Sequence, residues 1–165
     1  MIYFEKVSRE QFRADCEKCG FPYSDEIYDN IKLPTRSTAF SAGYDFKSPF
    51  DVYLTPDEIL TIPTGIRWIV DGIDRNVVLC IWPRSGQGFK TGARLMNTTG
   101  VIDADYWEAT NEGHIMVKML GGVSPLKVDA GQGFCQGVML PFITTSAEGL
   151  VTTVRTGGFG STDAL

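Results

Sequence analysis

Apolar residues near the start of the chain recur at helical spacing. Within residues 4–18, Phe12 and Cys16 fall on one helical face, and Ser8 with Gln11 three residues later forms a plausible capping box. This pattern predicts one short helix. We expect that helix to serve packing, because its side chains do not suggest a chemical role.

The hydrophobic pattern changes after a further helical turn predicted over residues 25–30. Apolar runs shorten to strand length, Pro, Gly and Thr recur between them, and no convincing 3.6-residue period returns. Continuous apolar runs at 77–82 and 115–120 predict two strands, and a hairpin is their natural pairing. The body is therefore predicted to be all-β, in the manner of a sandwich or jelly roll.

Length and composition fit one folded unit. With 165 residues, of which 43% are hydrophobic, the chain can bury a core without disulfides or metal. We expect a single domain over residues 1–165. It would comprise a helical N-terminal extension at 1–30, a β body at 31–150 and a flexible C-terminal arm at 151–165.

Charge and cysteine content narrow the possible partners. The net charge of -5 argues against broad affinity for nucleic acid or membranes. No run approaches the ~20 apolar residues needed to span a bilayer, and the N-terminus lacks the basic-then-apolar order of a signal peptide. We therefore expect a cytoplasmic protein, and the four cysteines are interpreted as reduced thiols. We expect no zinc site, because Cys16 and Cys19 lack a second ligand pair and His114 is the only histidine.

The turn between the two long apolar runs carries the strongest candidate chemistry. Gly100 permits a backbone bend, and Ile102 can point into the core. By the two-residue period of a strand, Asp103 then faces the other way, with Tyr106 three residues further on. Asp103 is either a turn residue that bonds its own backbone or a carboxylate of an active site.

A second candidate lies where the run at 77–82 ends. Arg84 offers a forked cation, Ser85 a hydroxyl and Gly86 an unobstructed backbone N–H, a set that suits phosphate oxygens. The segment does not match a Walker loop, because the Gly-x4-Gly-Lys order is missing and no helix is expected to follow. The alternative is an ordinary turn with a surface arginine.

Two further polar residues lie inside strand-like segments. Asp45 stands between Tyr44 and Phe46 and faces either a polar site or solvent. Gln136 enters a buried strand, where its amide needs a partner in the core or on a ligand.

The C-terminal segment is rich in glycine. Residues 155–162 are either a disordered tail or an arm that orders over a ligand. As an arm, the segment would let Phe159 stack on a flat ring and Arg155 reach an anion.

The candidate segments occur in a recognisable order. Over roughly residues 31–162 they closely resemble the five ordered motifs of the trimeric dUTPase family. The matching segments are 42–46, 83–86, 97–106, Gln136 and 157–162. The helical segment before residue 31 lies outside the resemblance.

The resemblance implies a fold, an assembly and a reaction. The fold would be a distorted jelly roll, a β-clip type of barrel, forming a homotrimer with shared active sites. The enzyme would convert dUTP and water to dUMP and pyrophosphate, which limits uracil incorporation into DNA and supplies dUMP for thymidylate synthesis. Mg²⁺ would be bound to the triphosphate without a direct protein ligand, with Asp45 reaching it through water.

The resemblance also implies a role for each motif residue. Asp103 would activate the attacking water, Tyr106 would exclude a 2′-hydroxyl, and backbone groups of the hairpin containing Asn97 and Gly100 would pair with uracil. Phosphates would be held by Arg84, Ser85, Gly86 and Gln136. Phe159 would stack on uracil, while Arg155, Ser161 and Thr162 would close over the terminal phosphates. In place of an arginine common in the fourth motif, this chain has Gly133.

Two alternatives belong to other functional classes. A dCTP deaminase of the same superfamily, or a bifunctional enzyme, would need a carboxylate on the strand after the aspartate turn, where this chain has Lys118. A catalytically silent trimer that binds a nucleotide or a protein partner is the third hypothesis. The presence of Asp103 favours the hydrolase.

Overall fold

The computed structural model describes residues 1–72 and 75–147, together with Gly149 and Gly157. The expectations for Arg155, Phe159, Ser161 and Thr162 fall outside the described residues.

The described part of the chain is mostly β, as expected. Its strands are β1 (Ile2–Lys6), β2 (Thr35–Arg36), β3 (Tyr44–Lys47), β4 (Val52–Leu54), β5 (Ile59–Pro63), β6 (Ile66–Val70), β7 (Val77–Pro83), β8 (Arg94–Leu95), β9 (Gly100–Ile102), β10 (Met116–Leu120), β11 (Leu126–Val128) and β12 (Gly133–Pro141). Its helices are α1 (Arg9–Cys19), α2 (Asp25–Asn30), α3 (Ser85–Thr91) and a 3₁₀ turn at Tyr106–Glu108.

The N-terminal segment begins with a strand. Strand β1 pairs antiparallel with β6, which places Phe4 opposite Trp68, so the expected helical extension over residues 1–30 begins instead with a strand. Helix α1 begins after Ser8, whose hydroxyl accepts a hydrogen bond from the backbone N–H of Gln11 at 3.1 Å. The predicted cap is therefore confirmed.

Helix α1 packs into the main core. Phe12 and Cys16 are fully buried within the same hydrophobic cluster as the β-strand residues. The ring of Phe12 stacks on Phe50 with a centroid separation of 6.0 Å. The packing role expected for this helix is confirmed, and the helix shares the core of the β body.

Among the described residues, the strands form four sheets and do not close into a barrel. The largest sheet has the order β2-β3-β12-β7-β9, and a three-stranded sheet has the order β5-β10-β8. Strand β11 pairs with β4, and β1 pairs with β6. The five-stranded sheet holds β3, β7 and β12 side by side, and the polar motifs lie on or directly after these strands.

The predicted hairpin between the two long apolar runs is wrong. Both runs form strands, but β7 pairs with β12 and β9, whereas β10 pairs with β5 and β8. The central residues of β7 are buried, whereas β10 alternates buried Val117 and Met119 with exposed Lys118. Neither burial pattern specifies which strand lies alongside. The chain between these two strands contributes β8 to the three-stranded sheet and β9 to the five-stranded sheet.

A helix follows β7, contrary to the sequence-based expectation. Helix α3 is short and contains Gly86 and Gly88, which lower helix propensity and obscure the pattern. It ends at Gly92, which has a φ of 73° and donates its N–H to the carbonyl of Gly88 at 3.0 Å.

Candidate functional site

A cavity of about 390 Å³ unites four of the predicted site residues. Asn97, Gly100, Asp103 and Tyr106 all line it. The same cavity has apolar walls from β7, β8, β9 and β10, formed by Ile81, Leu95, Ile102, Ile115 and Val117. Sequence reasoning missed these walls, because each residue is an ordinary apolar residue within a strand or, for Ile115, directly before one.

Irregular backbone shapes the mouth of this cavity. Met96 donates its N–H to the carbonyl of Lys118 at 2.9 Å, and Thr98 takes a left-handed conformation with a φ of 64°. Gly100 lies opposite Ile81 in the ladder between β9 and β7. A Cβ added at Gly100 would lie 3.2 Å from the Cβ of Ile81, so glycine permits this close approach.

Asp103 follows β9 directly and is exposed at the cavity. Ile102 packs against the hydrophobic core and also lines the cavity beside Asp103, so their placement on opposite faces stays a prediction. The backbone N–H of Tyr106 donates to the Asp103 carbonyl at 3.0 Å, which closes the turn. A carboxylate beside an apolar-walled cavity is suited to accept a proton from a water held there.

Tyr106 is fixed through its hydroxyl group. The side chain is 7% exposed, and its hydroxyl donates to the backbone carbonyl of His114 at 3.1 Å. The side-chain amide of Asn111 donates to the same hydroxyl at 2.8 Å. The position of the Tyr106 ring therefore depends on hydrogen bonds with the loop at residues 109–114.

Arg84 and Asp45 form an ion pair in a separate groove of about 410 Å³. Arg84 Nε lies 3.1 Å from Asp45 Oδ1, and the hydroxyl of Ser37 donates to the other carboxylate oxygen at 2.6 Å. Of the two environments that the sequence left open for Asp45, a polar site or solvent, the structure shows a polar site.

Gln136 lines the same groove from β12. It is only partly buried, contrary to the expected burial, and its amide nitrogen lies 3.4 Å from the carbonyl of Pro83, to which it donates. A Cβ on Gly43 would lie 2.5 Å from Gln136 Oε1, so glycine makes room for this amide.

A third groove, of about 520 Å³, continues from Arg84 and Ser85 along α3. Gly86, Lys90 and Lys127 also line it, and this adds two cations that sequence analysis missed. Recognition of α3 would have placed Lys90 about one helical turn from Gly86. A Cβ on Gly133 would lie 3.0 Å from the Arg84 guanidinium, so glycine at the fourth motif leaves space for this arginine.

The two regions differ in chemistry. In the described part of the chain, the apolar cavity shares no lining residue with either Arg84 groove. No described helix is long and apolar enough to cross a membrane. Within residues 1–72 and 75–147 there is no group of three or more His, Cys, Asp or Glu side chains that could hold a metal ion.

An apolar-walled cavity and grooves that supply forked and point cations are features that suit a nucleotide. The fold and site thus define a mostly β protein with one apolar-walled cavity and two cationic grooves among its described residues. A family model described as dUTPase matches residues 29–163, and the chain belongs to the dUTPase family.

Curated relatives extend this similarity along most of the chain. The chain is 39% identical over 137 residues to the deoxyuridine 5'-triphosphate nucleotidohydrolase of Lactococcus lactis subsp. lactis (strain IL1403), covering 81% of this chain and 89% of the relative. It is 36% identical over 141 residues to the enzyme of the same name from Haemophilus influenzae (strain PittEE), with the same coverage of both chains.

Solved structures agree with the fold. The dUTPase from Streptococcus mutans superposes with a TM-score of 0.64 and 31% identity, covering 88% of this chain and 99% of that structure. The dUTPase of Staphylococcus bacteriophage 80alpha, solved with dUPNHPP, gives a TM-score of 0.62 at 21% identity over 98% of this chain and 97% of that structure. The latter similarity shows the fold alone.

Proposed function

We propose that the protein is a dUTP diphosphatase that hydrolyses dUTP to dUMP and pyrophosphate. The observation that carries this proposal is the single cavity lined by Asn97, Gly100, Asp103 and Tyr106. Its relatives at 39% and 36% identity are named for the same reaction. Such an activity limits uracil incorporation into DNA and supplies dUMP for thymidylate synthesis.

The proposed reaction is attack by water on the α-phosphorus. Asp103 takes a proton from the water, a new P–O bond forms, and the bond to the β-phosphate oxygen breaks to release pyrophosphate. Backbone groups of residues 97–103 pair with uracil. The ring of Tyr106 lies against the deoxyribose, where a 2′-hydroxyl would be crowded.

The Arg84 grooves are proposed to bind the phosphates. Arg84 supplies a planar fork of donors, and Ser85, Gly86 and Gln136 add hydroxyl, backbone and amide groups. Arg155, Ser161 and Thr162 would close over the terminal phosphates, and Phe159 would stack on uracil. These four residues lie outside the described residues, so their roles rest on the motif order.

Mg²⁺ is proposed as the cofactor, carried by the triphosphate. It typically retains several waters and binds substrate phosphates with few carboxylates, and when bound it would neutralise phosphate charge. Asp45 fits an indirect role, because Arg84 and Ser37 already occupy one position on each of its oxygens and leave acceptor capacity for a water.

We further propose a homotrimer in which each active site takes residues from different subunits. The separation of the apolar cavity from the Arg84 grooves on one chain supports this arrangement. In this proposal, residues 1–165 form one domain of jelly-roll type, with residues 151–165 as the arm. The four unpaired thiols support a cytoplasmic location.

The decisive assay measures pyrophosphate release from dUTP and ammonia release from dCTP in parallel. We expect pyrophosphate with Mg²⁺ and no ammonia. The deaminase alternative is disfavoured because β10 brings Lys118 to the cavity, where that reaction would need a carboxylate. Ammonia release would replace the hydrolase by a deaminase, and binding without either product would favour the silent trimer.

Subunit sharing has its own experiment. The Asp103→Asn variant and a chain ending at Val154 are unfolded and refolded together in equal amounts. If Asp103 and the arm come from different chains, random assembly gives roughly a quarter of the sites both intact parts. Mixed trimers by mass that show only background activity would place both parts on one chain.

A further inference from the structure

Helix α1 and its cap contact the loop at residues 109–114, which binds the Tyr106 hydroxyl, at two points. Ser8 donates its backbone N–H and its hydroxyl to Glu112 at 2.8 and 2.6 Å. Asp15, one residue before the buried Cys16, lies 2.6 Å from His114 Nδ1. Both Ser8 and Asp15 precede the matched range 29–163, so the loop is supported by a part of the chain outside the family model.

The hydrogen bonds of His114 fix the direction of its contact with Asp15. The ring is fully buried, and its Nε2 accepts the backbone N–H of Gly65 at 2.8 Å. Because Nε2 is the acceptor, the ring proton is on Nδ1 and is donated to Asp15. His114 is therefore held from both sides, by α1 and by the chain between β5 and β6.

The loop needs such support because its backbone is strained. Glu112 has a φ of 58°, an uncommon conformation for a residue with a side chain, and it is followed by Gly113 with a φ of 68°. Burial would raise the pKa of Asp15, but hydrogen bonds from His114 and Gln11 outweigh it and lower this pKa. Asp15 is thus an anion that accepts both bonds.

The same loop holds the hydroxyl of Tyr106 through the His114 carbonyl and the Asn111 amide. We propose that Asp15 is a positioning residue, which acts through His114 to set the ring of Tyr106 against the sugar and so sharpens the choice of deoxyribose over ribose. This inference rests on the proposed function for its consequence in catalysis. The geometric part, that α1 positions the Tyr106 ring, stands on the contacts alone.

Three variants of α1 separate positioning from general stability. Asp15→Ala removes the acceptor, Asp15→Asn keeps an oxygen that can accept the His114 proton, and Glu17→Ala removes an exposed carboxylate from the same helix. We expect Asp15→Ala to lower the ratio of kcat/KM for dUTP over UTP by roughly five- to tenfold. Asp15→Asn should restore most of the ratio, and Glu17→Ala should leave it unchanged.

A second measurement does not depend on activity. In protein labelled with 3-fluorotyrosine, the Tyr106 signal is assigned by its loss in Tyr106→Phe. We expect Asp15→Ala to shift or broaden this ¹⁹F signal, whereas Asp15→Asn and Glu17→Ala should leave it close to wild type. If Asp15→Ala does not fold, Glu112→Ala removes the other anchor and should perturb the same signal.

The outcomes distinguish the two proposals. A wild-type protein without dUTP hydrolysis would overturn the proposed function, while a perturbed fluorine signal would still support the positioning contact. Wild-type selectivity and an unchanged fluorine signal in a folded Asp15→Ala or Glu112→Ala variant would overturn the role of α1. Loss of thermal stability with both readouts unchanged would assign Asp15 to the fold only.

Discussion

The apolar cavity and the Arg84 grooves are built in different ways. Asp45, Gln136 and Arg84 of the grooves come from adjacent strands or their ends. Gln136 on β12 lies opposite Asp45 on β3 and Trp82 on β7, two residues before Arg84. The cavity instead depends on irregular backbone at residues 97–106 and on a loop anchored to α1. Strand register thus places Asp45 and Gln136 beside Arg84, whereas long-range contacts hold the loop that fixes Tyr106.

The largest expected effect concerns the carboxylate of the cavity. Asp103→Asn should lower turnover by about a hundredfold or more, because a neutral amide cannot accept the proton of the attacking water. Pyrophosphate release under single-turnover conditions measures the effect. Asp105→Asn is the matched control, since Asp105 is in the same turn but does not line the cavity, and equal losses in both variants would point to turn structure.

Substitutions of Arg84 in the grooves should weaken substrate binding more than they slow the chemical step. Arg84→Ala should lower kcat/KM for dUTP by about 10- to 100-fold, the range for losing a charged hydrogen bond to an anion. Arg84→Lys should recover only part, because an ammonium lacks the planar fork. Steady-state kinetics over a range of salt concentrations tests this, and a loss confined to kcat would contradict a purely phosphate-binding role.

Sugar selection should distinguish the cavity from the groove. Tyr106→Ala should lower the preference for dUTP over UTP by about tenfold, because removal of the ring opens space for a 2′-hydroxyl. Tyr106→Phe keeps the ring but loses the bond to the His114 carbonyl, so its effect should be smaller. Undiminished rejection of UTP by Tyr106→Ala would place sugar selection elsewhere.

The smallest expected effect concerns how Glu112, in the loop at residues 109–114, contributes to protein stability at acidic pH. Burial opposes ionisation of Glu112, but the Ser8 hydrogen bonds and Arg67 hold its pKa below the ordinary 4.5. Its stabilisation should be complete above pH 4.5 and decrease as the pH falls through the lowered pKa. The difference in melting temperature between wild type and Glu112→Gln should be constant at neutral pH and narrow in acid. A difference in melting temperature that widens as the pH falls would contradict this prediction.

Local sequence patterns were sufficient for local features. The Ser8 cap, the packing of Ile102 against the core and the β-rich body all follow from neighbouring side chains and the periods of helix and strand. The motif order also grouped Asn97, Gly100, Asp103 and Tyr106, which lie within ten residues and meet in one cavity.

The tertiary structure decided what depends on distant partners. The hairpin expectation failed because the apolar pattern of a strand does not encode which strand lies beside it. Helix α3 was missed because its glycines lower helix propensity, and a long-range contact holds it, in which the Gln87 amide donates to the Gly133 carbonyl. Asp15 and His114 are 99 residues apart, and neither has a local pattern that indicates the other. Their contact forms only when α1 packs on the core. The link between the N-terminal helix and Tyr106 can therefore be recognised only in the folded structure.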